Sequence, residues 1–87
     1  MRKEAISNKI RSVAVNIRKI REYRNYTQEY LAMKLNISQN AYSKIELGYT
    51  KITLERLYEI AQILEVDSIE LIRAEDNEAV QLLTVNA

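Results

Sequence analysis

The stretch Thr27-Gln28-Glu29-Tyr30-Leu31-Ala32-Met33-Lys34-Leu35-Asn36-Ile37-Ser38-Gln39-Asn40-Ala41-Tyr42-Ser43-Lys44-Ile45-Glu46-Leu47-Gly48 decides the fold. It holds two short helical segments, each with its own start and stop signals. A helix N-terminus leaves backbone N–H groups unpaired, and a Ser or Thr hydroxyl accepts from one of them. Thr27 and Ser38 stand where the two helices would begin. Asn36 and Gly48 are the residue types that take the left-handed conformation just past a helix. The pattern predicts helices over 27–35 and 38–47. A connection this short forces a sharp turn, and Ala32 is small enough to let the second helix cross the first closely.

The same start signal recurs on both sides of this stretch. An apolar residue before the cap often packs on the residue four positions past the cap, a hydrophobic staple. Tyr26-Thr27 is followed by Leu31, Ile37-Ser38 by Tyr42, Ile52-Thr53 by Leu57 and Val66-Asp67 by Leu71. Glu70 is placed to complete a capping box with Asp67. Two further helices are therefore predicted, over 53–64 and 68–73. Upstream, Ile10, Ala14 (with Val13), Ile17 and Ile20 form a helical stripe, which predicts a first helix from about residue 7 to Arg24. The chain divides into an N-terminal extension of that helix (1–12), a helical domain (13–73) and a C-terminal tail (74–87). In the tail, Val80, Leu82, Leu83 and Val85 fit a short strand, a last helical turn or a segment docked on a partner. No linker, low-complexity tract or domain-sized repeat interrupts the chain.

Composition narrows the class. Eighty-seven residues make one small domain, with 47% apolar and 29% charged residues, ordinary for a globular chain. Proline is absent and glycine occurs once, too few turn residues for a sheet-rich fold, so the expectation is all-α. Cysteine and histidine are both absent. That excludes disulfides and thiol chemistry, the commonest general base and the commonest zinc ligand. Nucleophilic catalysis needs a nucleophile beside a base. Ser43 and Lys44 are neighbours with nothing around them to suggest a buried site, so no enzyme activity and no catalytic residue are expected. The acidic groups Asp67/Glu70 and Glu75/Asp76/Glu78 read as a helix cap and a solvated tail. No metal site and no cofactor are expected, and no Gly-rich phosphate loop is present. No apolar run approaches a membrane span and residues 1–4 lack a secretory stretch, so a cytoplasmic protein is expected.

The net charge of +1 hides a split. Residues 1–51 carry eleven Lys/Arg against four Asp/Glu, or +7; residues 52–87 carry two against eight, or −6. Such asymmetry suggests a polyanion partner for the basic half. The helix over 38–47 shows where that partner would sit. At 100° per residue, with Gln39 at zero, Ser43 falls near about 40°, Asn40 near about 100° and Lys44 near about 140°. Ala41, Ile45 and Tyr42 occupy the opposite arc. Gln and Asn pair bidentately with adenine, and Lys donates to guanine O6 and N7. Glu46 lies at the edge of the polar arc and Leu47 within it. A solvated amphipathic helix would show the same wheel, but the tight turn before it and the basic half favour a helix-turn-helix, whose second helix enters the DNA major groove. The six tyrosines offer little to single strands: Tyr26, Tyr42 and Tyr58 sit at staple or core-stripe positions, and Tyr49 is the nucleic-acid candidate.

Residues 17–72 resemble the Xre/Cro-type helix-turn-helix family, the lambda-repressor-like DNA-binding domains. The resemblance is carried by Ile17-Arg18-Lys19-Ile20-Arg21, by Thr27-Gln28-Glu29-Tyr30-Leu31-Ala32, by the run from Ile37 to Gly48, and by Thr53-Leu54-Glu55-Arg56-Leu57. It implies five helices round one core, with the helix over 38–47 reading bases through Gln39, Asn40 and Lys44; Ser43, on the same polar arc of the wheel, is expected to join them. It places Gln28, Ser38, Tyr49, Thr50 and Lys51 at the DNA phosphates. It also implies an ion pair between Arg21 and Glu46. Asn36 and Leu47 depart from the family's usual residues, and residues 1–12 and 74–87 inherit nothing from the resemblance.

Two functions stay open from the sequence. The first is a sequence-specific, double-stranded-DNA-binding transcriptional regulator acting as a homodimer. Leu71, Ile72, Leu82 and Leu83 are the residues expected to be exposed for the dimer contact. The second is an antitoxin-like module whose acidic half, 52–87, binds a protein partner such as a toxin.

Overall fold

The computed structural model describes residues 3–73 and contains five helices: α1 (Lys3–Tyr23), α2 (Gln28–Leu35), α3 (Gln39–Glu46), α4 (Leu54–Leu64) and α5 (Ser68–Arg73). Among the described residues there is no strand, so the fold is all-α, a lambda-repressor-like bundle. No helix among them is long and apolar enough to cross a membrane.

One connector is used again and again. Just past α1, α2, α3 and α4 stand Asn25, Asn36, Gly48 and Glu65, with φ of 61°, 60°, 78° and 59°. At each, two N–H groups fold back onto the last turn. Past α2, Asn36 donates to Met33 O (3.1 Å) and Ile37 to Ala32 O (3.0 Å); past α3, Gly48 donates to Ile45 O (3.1 Å) and Tyr49 to Lys44 O (2.9 Å). This is the Schellman arrangement, which satisfies the orphan carbonyls of a helix end. After Asn25, Asn36 and Glu65 come an apolar residue and then the next helix's cap: Tyr26-Thr27, Ile37-Ser38 and Val66-Asp67. Tyr26, Ile37 and Val66 pack on the core. The caps close each start: Thr27 Oγ1 accepts from Tyr30 N–H (3.0 Å), Ser38 Oγ from Ala41 N–H (3.0 Å) and Thr53 Oγ1 from Arg56 N–H (3.1 Å). Each such cap stabilises by about 1 kcal/mol.

Three guanidinium groups finish the helix ends. Arg24 donates to the carbonyls of Leu64 (2.9 Å) and Glu65 (3.1 Å), and Arg56 to Leu35 O (3.4 Å). Arg21 Nη1 donates to Tyr26 O (2.8 Å). A cation at a helix C-terminus opposes the negative end of the dipole, so part of the basic half is spent on the scaffold.

The core is built from Ile17 and Ile20 of α1, Leu31 of α2, Tyr42 of α3, Ile60 and Leu64 of α4, and Leu71 of α5, all fully buried. α1 touches α3, α4 and α5, while α2 packs on α3 and α4. α5 runs back along α1. Arg24 binds the carbonyls just before it, and further on Asn16 Nδ2 donates to Leu71 O at 2.9 Å.

Several expectations are corrected. α1 runs from Lys3, four residues before the expected start, to Tyr23, and the expected N-terminal extension is continuous with the rest of that helix from Lys3 on. Ile10 lies beyond the core and is 42% exposed. Tyr58 is exposed, because the buried stripe of α4 is Leu57, Ile60, Ala61 and Leu64. Leu71 is sealed inside rather than exposed, while Ile69 and Ile72 face outward. Asp67 Oδ1 accepts from Ile69 N–H (3.0 Å), but Glu70 Oε1 takes Arg73 Nη2 (2.7 Å) instead of closing a capping box. The tail with Val80, Leu82, Leu83 and Val85 lies outside the described residues, as does the acidic cluster Glu75/Asp76/Glu78.

Candidate nucleic-acid interface

α3 is amphipathic in three dimensions as well as on the wheel. Tyr42, Ile45 and Glu46 are buried, Ser43 is half-buried, and Gln39, Asn40 and Lys44 are exposed beside the exposed cap Ser38. Leu47, just past the helix, is also exposed.

Glu46 is held inside by four donors. Arg21 Nε reaches its Oε2 at 2.6 Å and Arg21 Nη2 its Oε1 at 3.1 Å. The Tyr42 hydroxyl donates to Oε2 at 2.5 Å, and Gln28 Nε2 to Oε1 at 3.0 Å. Burial alone would raise the Glu46 carboxyl, but the bonds from Arg21, Tyr42 and Gln28 outweigh it and hold the group below the usual carboxylate range. The bond to Glu46 raises Arg21 in turn, against the cost of its burial. Burial, with the Glu46 carboxylate beside it, pushes the Tyr42 phenol above its ordinary value. The carboxylate is thus ionised and locally neutralised. It ties α1, α2 and the far end of α3 together without presenting a bare negative charge on the outer face.

This bonding gives Gln28 a structural task that no local pattern announced. Its amide, at the first position of α2, already donates to a partner eighteen residues on.

The loop after α3 lies beside the open flank of the helix. Ser38, Asn40 and Lys44 line one groove with Thr50, Lys51 and Arg56, over a floor that includes Ile37, Ala41 and Ile45. Gln39 and Ser43 do not line that groove. Tyr49 is 77% exposed and lines a second groove, with Thr50 and Lys51. On the other wall of that groove stand Ser7, Ile10 and Arg11 of α1. Sequence reasoning passed over Ser7 and Arg11. The available signal was their four-residue spacing, continued back to Lys3, which puts all three on one side of a helix.

Donors and acceptors on α3 match what base edges offer, and a cationic loop beside them matches phosphate. A tight α2–α3 turn carries this face on a bundle, and a family model described as helix-turn-helix matches residues 17–71. The chain belongs to the helix-turn-helix family. This helix-turn-helix chain is 37% identical over 65 residues to an uncharacterized HTH-type transcriptional regulator, YqaE, of Bacillus subtilis (strain 168). The alignment covers 75% of the chain and 56% of that relative, so the chain spans little more than half the relative's length. No solved structure matches. The helix-turn-helix match takes in α2, α3, the following loop and Arg21, and leaves residues 3–16 of α1 outside it.

Proposed function

We propose that this chain is a DNA-binding transcriptional regulator without catalytic activity, which lays α3 in the major groove of double-stranded DNA. The observation that carries this reading is the division of α3. Tyr42, Ile45 and Glu46 are committed to the bundle, while Gln39, Asn40, Ser43 and Lys44 are left to a ligand. In this reading Gln39 and Asn40 pair with adenine edges, Lys44 donates to guanine, and Ser43 takes either base type. Ser38 offers its exposed helix start to a phosphate. Tyr49, Thr50 and Lys51 rest on the backbone beside it. Gln28 joins them through the part of its amide that Glu46 leaves over, a smaller contribution than for a free side chain.

One reading helix spans only a few base pairs, so two copies on a palindromic site give the needed specificity. The outward Ile69 and Ile72 of α5 support a homodimer through that helix. A cytoplasmic location accords with the function. The experiment is selection of bound duplexes from a random DNA pool. The expected result is an inverted repeat with half-sites about one helical turn apart. Recovery of random sequence, or of no DNA, overturns the reading.

A further inference from the structure

The reading above places DNA beside α3 and the loop that follows it. The structure sets a second element against that same loop. Gly48, which opens the loop, has its bare side turned to α1: a Cβ built there would lie 3.9 Å from the Arg11 Cα and 4.0 Å from the Ala14 Cβ. One groove is walled by Ser7 and Arg11 on one side and by Tyr49, Thr50 and Lys51 on the other. Lys3, Ser7 and Arg11 repeat every four residues, within about 80° of arc on α1, and all three are exposed. Neither Lys3 nor Arg11 has an ion pair among the described residues. Among the described residues of the N-terminal half of α1, Glu4 is the carboxylate, at the edge of the row on the helix wheel.

We infer that the N-terminal half of α1 is a second DNA-binding element, in which Lys3, Ser7 and Arg11 grip the phosphodiester backbone beyond the base pairs that α3 reads. The ligand class is the polyanionic backbone, not a base edge. Lys and Arg on one open helix face, with a hydroxyl between them, supply charge and donors but no fixed bidentate frame. The element adds affinity to every sequence alike and lengthens the footprint. These residues lie outside the helix-turn-helix match, and the inference rests on the proposed DNA-binding reading.

The test uses the full chain and its selected duplex. In Lys3→Ser/Arg11→Ser the Gly48 seat is untouched, because it meets the backbone of Arg11 and not its side chain. Lys9→Ser serves as the comparison, since Lys9 lies on the opposite side of α1. Each phosphate contact contributes a slope of about 0.9 in log affinity against log salt. The double variant is therefore expected to flatten that slope by about 1–2, to weaken operator and random DNA by the same factor, and to shorten the backbone-protection footprint at its outer edges. Lys9→Ser should leave footprint and slope essentially unchanged. An unchanged slope and footprint in the double variant overturns the inference while leaving the α3 reading intact. So does a flattening equal to that of Lys9→Ser, or a loss confined to operator DNA. Failure of the unaltered chain to bind any duplex would instead sink the α3 reading, and this inference with it.

Discussion

Gln28, the first residue of α2, and Glu46, the last of α3, are joined by an amide-to-carboxylate bond of 3.0 Å. Arg21 of α1 holds the same carboxylate. The two halves of the helix-turn-helix are therefore tied at the ends farthest from their turn, and the tie runs through one buried group. That group and the Asn36 turn thus constrain α3 against α2 from its two ends.

Glu46→Ala should accordingly cost about 3–5 kcal/mol, the usual penalty for breaking a buried pair by removing one partner. It leaves Nε and Nη2 of Arg21 and the buried Tyr42 hydroxyl without their acceptor. Glu46→Gln, which keeps an acceptor, should cost less. Urea unfolding of both variants checks this; a loss below about 1 kcal/mol for the alanine would contradict the role assigned to the carboxylate.

Stability should also depend on pH through this cluster. The folded chain holds Glu46 below its ordinary carboxyl value of 4.5, so on acidification the unfolded chain binds the proton first. The stabilisation from Glu46 is complete above that value and disappears as pH falls through the lower, folded one. Tyr42 behaves in the opposite sense. Its folded value is raised above the ordinary 10.0, so above about pH 10 the unfolded chain releases the proton first and stability falls as pH rises. Urea midpoints across the pH range should show Glu46→Gln losing part of the acid slope and Tyr42→Phe part of the alkaline slope. Slopes equal to those of the unaltered chain would refute the assignment.

What the sequence made legible follows the range of the forces involved. Caps at Thr27, Ser38, Thr53 and Asp67 are chemistry between neighbours, and they were readable as such. Asn36 and Gly48 were readable because their types suit a positive φ. Glu65 was not, since a glutamate carries no left-handed preference; Arg24, forty-one residues away, holds its carbonyl. Gln28 gave no sign of its bond to Glu46 for the same reason. Periodicity located helices well but erred at their margins. It sets Tyr58 with the core stripe, one residue away from the buried Leu57, and the expected dimer contact exposes Leu71, which Asn16 and the core enclose. The open flank of α3 was legible because one helix wheel decides it. The groove between that loop and Arg11 was not, because it is made by two segments far apart in the chain.

Gly48→Ala should destabilise by about 1–2 kcal/mol, and the cause is conformational rather than steric. The added methyl meets only ordinary contacts at 3.9 and 4.0 Å, whereas the backbone there has φ +78°. Gly48→Asn, a residue that tolerates this region better, should recover part of the loss. Thermal unfolding of the pair tests the division: an asparagine variant no more stable than the alanine one would point to crowding against α1 instead.

Lys44 and Lys51 line the same groove, yet the proposed function gives them different jobs. In that reading Lys44, on the open flank of α3, meets a base edge, and Lys51, in the loop after it, meets a phosphate. Lys44→Ala should cost about 1–3 kcal/mol on the selected operator and relax preference at one base position in each half-site. Lys51→Ala should weaken all duplexes by one factor and lower the salt slope by about 1. Titrations of both variants against operator and scrambled duplex, at several salt concentrations, separate the two behaviours. If Lys44→Ala lowers affinity for operator and scrambled DNA equally, Lys44 contacts the backbone, and the base-reading part of α3 shrinks to Gln39, Asn40 and Ser43.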